Sequence, residues 1–379
     1  MNSDFIEEIK CLLQQGVFPS AAFFPEDYLK EKKIIIYGAG SGLTTLSMFV
    51  LQRFNIVPVA VLDKKYTVPE EHDGTLYCHP DKFQSFSGIC HDALVIISLG
   101  NPRIREMVKN ELHSRGFRNV ISAMDIYEYH LPNPSAEMAQ GFSFFKNAQD
   151  EIIQTFDLLE DCKSREIFKQ FLLTHIYRKL LPISSEPIEN QYFPLDIWDE
   201  SVYDRSIICG AYNGDTSLAI LKRKSSVNSM ICFEPDPENF NTMRGNISNF
   251  KRNIGELLLL PLALYNKNIQ LRFAAGNTSN CTIAENGNLL VQCVTLDDCL
   301  PDTVPTFISM DIEGAELFAL QGMKEIIRKH HPQLAVCVYH SPEHIWTIPL
   351  LLHTLVPKYK FYLRNYTSFT SETVLYAKY

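Results

Sequence analysis

The sequence has no Cys-x-x-Cys pair, although ten cysteines are scattered through its 379 residues. Most lie inside apolar runs, which argues against a disulfide framework or a zinc site and implies buried, reduced thiols. It also lacks an excess of positive charge. With 35 Lys and Arg against 44 Asp and Glu the net charge is −9, which disfavours nucleic acid as a partner, because phosphate binding needs basic side chains gathered on one face. No long hydrophobic run is present either: the longest, 257–265, is about half of the ~20 residues that a membrane-spanning helix requires. The first twenty residues carry acids and an amphipathic rhythm in place of the basic start and apolar centre of a secretory leader. The expected setting is therefore the cytoplasm, with no membrane partner.

What is present is an ordinary globular composition, 46% hydrophobic and 21% charged, in a chain long enough for two or three domains. Two stretches repeat one order of parts: an apolar run, a glycine turn, a helix-like segment, a second apolar run and an acid. In the first, 33–37 runs into Gly38-Ala39-Gly40-Ser41-Gly42, and the run 56–62 ends on Asp63. In the second, 207–209 turns through Gly210-Ala211-Tyr212-Asn213-Gly214, a helix opens at Asp215, and the run 230–233 ends on Glu234-Pro235-Asp236. This order suits a nucleotide-type ligand: glycines let the backbone come close, the helix N-terminus offers free N–H groups, and the acid can accept from two ribose hydroxyls. The first turn departs from the dinucleotide pattern, which counted from Gly38 needs glycine where Leu43 stands. A tight strand-to-helix turn and a true ligand site remain equal readings of it. Lys64 and Lys65 beyond Asp63 suit either a phosphate contact or a solvated pair.

Strands alternating with helices predict an α/β protein with two doubly wound, largely parallel sheets. In the first, the expected elements are a helix over 43–54, an edge at 74–77, a strand at 93–98, a helix over 103–115 and a closing strand at 119–121. Two helices are expected within 148–181, between a loop starting at 131–134 and a proline-bearing loop around Pro182, Pro187 and Pro194. From 206 the alternation restarts, with strands at 207–209, 230–233, 256–263, 306–310 and 333–338 and a β excursion at 270–273 and 290–294. A helix is expected over 315–329, another near 342–355, and a terminal pair of strands at 359–364 and 373–377. The expected organisation is an N-terminal Rossmann-like domain (1–130), a helical connector and lid (131–205) and a C-terminal domain (206–379).

Four separated motifs give the C-terminal part a family resemblance: CGAYNGDTS (209–217), CFEPDPENF (232–240), VTLDDCL followed by FISMDIEGAELFALQGM (307–323), and VYH (338–340) with FYLRNY and ETVLYA near the end. The region 206–379 resembles an FkbM-type S-adenosylmethionine-dependent methyltransferase. YGAGSG and VAVLD give the N-terminal region a looser likeness to Rossmann-like domains on some sugar-modifying enzymes. The first resemblance implies a seven-stranded sheet closing in an antiparallel hairpin, S-adenosylmethionine as cofactor, and methylation of a hydroxyl on a sugar or other small metabolite. Residue by residue it implies that Gly210, Ala211, Asn213 and Gly214 pass under the methionine part of the cofactor, with Asp215 and Thr216 holding it. Glu234 would take the ribose, Pro235, Asp236 and Ala263 would border the adenine, and the loop 277–279 would cover the sulfonium. Asp311 would stand beside the methyl group, with His340 or Asp311 as general base and Glu313 and Glu316 in support.

The sequence departs from the family twice. Ile208 stands where the family usually has an acid, and Ser309 where many members have lysine. The spacing of Asp311, Glu313 and His340 is no metal-ligand signature, and no metal is predicted. A rival reading takes Gly38, Gly40, Gly42 and Asp63 as a nucleotide or sugar-nucleotide site on a regulatory protein whose methyltransferase-like domain is inert. Hydride chemistry on two nucleotide-type folds is the third reading, against which Glu234-Pro235 and the terminal hairpin argue. The sequence leaves the acceptor and the oligomeric state open.

Overall fold

A computed structural model describes residues 2–14, 26–40, 42–83, 92–99, 102–123, 142–177, 183–274, 282–283, 287–367 and 370–379. The loops at 131–134 and 277–279 lie outside the described residues. The chain divides into two compact units, one of Met1–Lys10, Asn147–Phe171 and Ile183–Tyr379, the other of Cys11–Lys146 and Leu172–Pro182.

In the second unit, β1 (Lys33–Tyr37), β2 (Ala60–Leu62), β3 (Glu70–His72), β4 (Thr75–Cys78), β5 (Ala93–Ile97) and β6 (Asn119–Ser122) form a sheet in the order β3-β4-β2-β1-β5-β6. β4, β2, β1, β5 and β6 are parallel, as expected. β1 and β5 are almost wholly buried and read as unbroken apolar runs, the signature of a parallel strand covered on both faces. β3 escapes sequence reading because its residues, Glu-Glu-His, are all exposed. It is held antiparallel to β4 by the turn Asp73-Gly74, where both residues have positive φ.

In the first unit, β7 (Arg205–Cys209), β8 (Val227–Phe233), β9 (Ile254–Leu260), β14 (Phe307–Met310), β15 (Gln333–Cys337), β16 (Lys360–Asn365) and β17 (Thr373–Lys378) form a seven-stranded sheet in the order β16-β17-β15-β14-β7-β8-β9. β17 alone runs antiparallel to its neighbours. The expected strand 256–263 ends earlier, at Leu260. Pro261 has no N–H to continue the ladder, and Ala263–Leu264 joins a different sheet as β10. That four-stranded sheet, in the order β10-β13-β11-β12, contains the β excursion: β11 (Ile269–Ala274), β12 (Thr282–Ile283) and β13 (Leu289–Val294). The single helix expected over 315–329 is two, Glu316–Gln321 and Lys324–His330. At the break, a Cβ on Gly322 would lie 2.0 Å from the Tyr265 carbonyl oxygen, so the close approach fixes glycine where the helix stops.

The segment before β7 closes the outer edge of this sheet. Leu159 bridges Phe361 of β16, the Glu160 N–H donates to the Phe361 carbonyl at 3.0 Å, and the Leu363 N–H donates to Ser164 Oγ at 2.8 Å. An uncovered strand edge would template further pairing. Arg364, 2% exposed, fastens the arrangement by donating to Asp161 Oδ2 and Asp196 Oδ2, each at 2.7 Å. Arg364→Ala is expected to destabilise this unit by about 3 kcal/mol; the two acids are partly solvated, which keeps the cost at the lower end for a broken buried pair. Thermal or urea unfolding measures it, and a change within ~0.5 kcal/mol, the usual range for surface substitutions, would show that Arg364 carries no such role.

Candidate functional site

At the C-terminal ends of β7, β8, β14 and β15 the sheet presents its loops together, the place where α/β folds hold ligands. The turn after β7 is built on positive φ at Gly210 (77°), Tyr212 (46°) and Gly214 (88°). The N–H groups of Gly210 and Ala211 both donate to the Phe233 carbonyl, at 3.0 and 2.9 Å. A Cβ on Gly210 would stand 1.9 Å from the backbone oxygen of Asp311, so the turn lies against the residue that ends β14. Gly214 caps the helix Asp215–Arg223.

Glu234, at the end of β8, is 5% exposed. Its Oε2 accepts from the Tyr212 N–H at 2.8 Å and its Oε1 from the Asp236 N–H at 2.9 Å. Burial pushes its pKa up to about 7, against the pull of those two backbone donors. Asp236 caps the helix Pro237–Ser248, accepting from the N–H groups of Glu238 and Asn239. Asp215 accepts from the Thr216 N–H at 2.6 Å and Asn213 from the Asp215 N–H at 3.1 Å, so these polar side chains brace the first turn of the helix. Ala263 is nearly buried in β10.

The second half of the site surrounds His340. Past β14 the chain turns sharply through Glu313 (φ 56°) and Gly314 (φ 97°). This returns the fully buried Glu316 toward its own loop, where Oε1 accepts from the Ile312 N–H at 3.0 Å. His340 Nδ1 lies 2.9 Å from Glu316 Oε1, and Nε2 lies 3.4 Å from Asp311 Oδ1 and 3.5 Å from Glu313 Oε2. These contacts are ion pairs rather than aligned hydrogen bonds. Burial works against a charge on His340, but Glu316, Asp311 and Glu313 together push its pKa up to about 10. Glu316, despite burial, is held well below the usual carboxylate range by His340 and His344. Burial raises Asp311, with the His340 charge opposing.

Four residues that the sequence reading did not single out complete the site. The Tyr192 hydroxyl donates to Asp311 Oδ2 at 3.0 Å. Tyr339 donates weakly, at 3.5 Å, to both Asp311 Oδ1 and Glu372 Oε1, and Gln191 donates to Glu372 Oε2 at 2.6 Å. Tyr192 is itself held at both ends of its peptide: its N–H donates to the Tyr376 hydroxyl and its carbonyl accepts from the Tyr203 hydroxyl. Tyr192 (φ 68°), Tyr212, Glu313 and Glu372 (φ 60°) all adopt left-handed backbone. Such conformations are uncommon for these residue types and gather at functional sites, where surrounding structure over-determines them. A sequence signal existed for Glu372 and Tyr339, which stand inside the quoted motifs ETVLYA and VYH. None existed for Tyr192 and Gln191, which lie in a proline-bearing loop without periodicity.

The two family departures prove to be neighbours. Ser309 of β14 pairs in register with Ile208 of β7, so the two side chains share one face of the sheet, both buried.

The N-terminal turn repeats the same device within its own unit. Gly38 (φ 103°) follows β1, the Ala39 N–H donates to Asp63 Oδ2 at 2.7 Å, and the Lys65 N–H donates to Asp63 Oδ1 at 2.9 Å. Gly40 and Gly42 stand in the same turn, Gly42 opening the helix Gly42–Arg53. The Lys65 ammonium donates to the Ala39 carbonyl at 2.8 Å.

A seven-stranded sheet in this order, with one antiparallel strand inserted next to the edge, defines the C-terminal unit as a class I methyltransferase fold. Residues 209–367 match the family model of the Methyltransferase FkbM domain. The crystal structure of methyltransferase FkbM from Methylobacillus flagellatus KT superposes with a TM-score of 0.79 at 19% identity, covering 100% of this chain and 99% of that one. At that identity the likeness is one of fold. Fibrillarin from Aeropyrum pernix, with natively bound S-adenosyl-L-methionine, overlaps only partially, with a TM-score of 0.30 at 10% identity over 46% of this chain and 66% of that one. A search of the curated proteins gave no match. Among the described residues no helix is long and apolar enough to cross a membrane.

Proposed function

We propose that the C-terminal unit binds S-adenosylmethionine across the Gly210–Gly214 turn and methylates a hydroxyl of a small acceptor, a sugar or a comparable metabolite. The observation that carries this is the pairing of a buried Glu234 at the end of β8 with a glycine turn pressed against Asp311. The pairing supports a ribose contact on one side and a reacting methyl on the other. When bound, the cofactor supplies a methyl group on a sulfonium, displaced in line by the acceptor oxygen as the carbon–sulfur bond breaks. The protein's part is alignment above all. Asp311, whose side chain is 29% exposed against 4% for His340, is the group an acceptor hydroxyl can reach, and it takes the proton. His340, Glu313 and Glu316 fix the loop that carries Asp311, and Tyr192 sets the direction of its carboxylate. The hydroxyl and sugar assignments rest on the family resemblance.

The purified chain is expected to bind S-adenosylmethionine in calorimetry and to methylate hydroxylated acceptors in a metabolite extract followed by mass spectrometry. Absence of binding at millimolar cofactor would overturn the reading. Tyr192→Phe is expected to lower kcat by about 10–100-fold, the scale of a misplaced catalytic group, with cofactor affinity within about twofold of the parent. An unchanged kcat would remove Tyr192 from the site.

A further inference from the structure

We propose that the His340 cluster is a binding site for a divalent cation with mixed nitrogen and oxygen preference, of which Mn2+ is representative. Asp311, Glu316 and His340 each offer a ligand atom, and these atoms lie within 4.8 Å of one another. Glu313 Oε2 approaches the same imidazole nitrogen as Asp311 Oδ1, at 3.5 and 3.4 Å respectively. Adjacent donors on a cation with bonds of about 2.1 Å stand roughly 3 Å apart. The 3.4 Å separation of His340 Nε2 from Asp311 Oδ1 is close to that size.

Two further observations separate this from a surface patch of acids. His340 is 6% exposed and Glu316 fully buried, yet both imidazole nitrogens and Glu316 Oε2 make no aligned hydrogen bond. Buried polar groups are ordinarily satisfied by hydrogen bonds, so polar atoms that converge without forming them call for a further partner such as an ion or water. Charge points the same way. Four carboxylates, Asp311, Glu313, Glu316 and Glu372, surround the imidazoles of His340 and His344 and the hydroxyls of Tyr192 and Tyr339. No Lys or Arg pairs with Asp311, Glu316 or Glu372 among the ion pairs of the described residues.

The parts divide by position. Nε2 of His340 with Asp311 and Glu313, two carboxylates that keep some exposure, forms the open side where a cation enters. Glu316, held by the Ile312 N–H, stands behind Nδ1 as the carboxylate that orients a metal-binding histidine. One imidazole among carboxylates suits Mn2+ better than an all-oxygen cation or a thiolate-seeking one. A cation here would draw the acceptor oxygen toward it and ease loss of its proton; this role, unlike the binding itself, rests on the methyl-transfer reading.

The test is a Mn2+ titration of the chelator-treated full-length chain without S-adenosylmethionine, read by the electron paramagnetic resonance signal of free Mn2+. One equivalent is expected to disappear from the free signal, and Mn2+ is expected to raise the melting temperature. Asp311→Asn and His340→Gln are each expected to weaken binding at least tenfold, whereas Glu256→Gln, at an exposed acid of β9, leaves it unchanged. The proposal is overturned if the folded parent leaves Mn2+ free at millimolar concentration with no change in melting temperature. It is equally overturned if folded Asp311→Asn and His340→Gln bind Mn2+ like the parent. Because no cofactor is present, loss of this proposal leaves the methyl-donor reading standing, and failure of cofactor binding leaves the cation site standing.

Discussion

Gly210→Ala is expected to leave no cooperatively folded C-terminal unit. The backbone there has φ +77°, and an added Cβ would lie 1.9 Å from the Asp311 carbonyl oxygen and 3.1 Å from Ile312 Cγ2. The left-handed conformation alone costs an L-residue about 1–2 kcal/mol. The overlap is with backbone rather than a flexible side chain, so β14 and β7 must separate locally, beginning with the bond from the Asp311 N–H to the Cys209 carbonyl. The sum exceeds about 4–5 kcal/mol, a large part of the 5–15 kcal/mol by which whole domains are stable. Gly245→Ala provides the contrast: nothing lies within 4 Å of its added Cβ, and it sits inside the helix Pro237–Ser248, so a gain of roughly 0.5–1 kcal/mol is expected. Circular dichroism melts of both variants measure the difference. A Gly210→Ala protein that unfolds within a few degrees of the parent would refute the close approach.

Glu234→Gln is expected to weaken S-adenosylmethionine binding by about two orders of magnitude. The carboxylate holds the Tyr212 and Asp236 N–H groups, and a neutral amide loses charge-assisted bonds worth ~1.5–3 kcal/mol together with its symmetry as an acceptor. Its pKa, pushed up to about 7 by burial and then by the neighbouring charge of Asp236, adds a pH signature. The folded value lies above the unfolded carboxylate value, so the associated stability is present below the unfolded pKa and is lost as pH rises through 7. Ribose hydroxyls donate to the ionised form, so cofactor affinity runs the opposite way. It is expected to rise between pH 6 and 8, by up to about tenfold, in the parent and to stay flat in Glu234→Gln. Calorimetry at pH 6, 7 and 8 tests both; equal affinities for parent and variant would detach Glu234 from the cofactor.

Elements whose burial pattern matches their period were legible in the sequence. β1, β5, β7 and β8 are short apolar runs closed by a glycine turn or an acid, and the structure has them where the patterning placed them. What stayed hidden depends on contacts distant in sequence. Gly322 ends a helix because Tyr265 passes beside it, and β3 exists because a two-residue turn folds exposed residues onto β4. The site divides along the same line. Glu234, Asp311 and His340 each close a strand and could be picked out singly, but Tyr192 reaches Asp311 across 119 residues of chain and carries no local signal. Ile208 and Ser309 looked like two independent departures. In the sheet they stand opposite each other, so a family acid and a family lysine at these positions would face one another. Replacing both leaves neither charge stranded in a buried strand pair, which weakens the case that the departures disable the site.

The covered edge of β16 has a consequence for what counts as the domain. The stretch matched by the family model, 209–367, stops short of β17 and begins after Asp161, Ser164, Tyr192 and Asp196. Arg364 and Asp311, both inside that stretch, have hydrogen-bond partners outside it. The family match and the compact unit therefore have different borders here, the match being the shorter of the two.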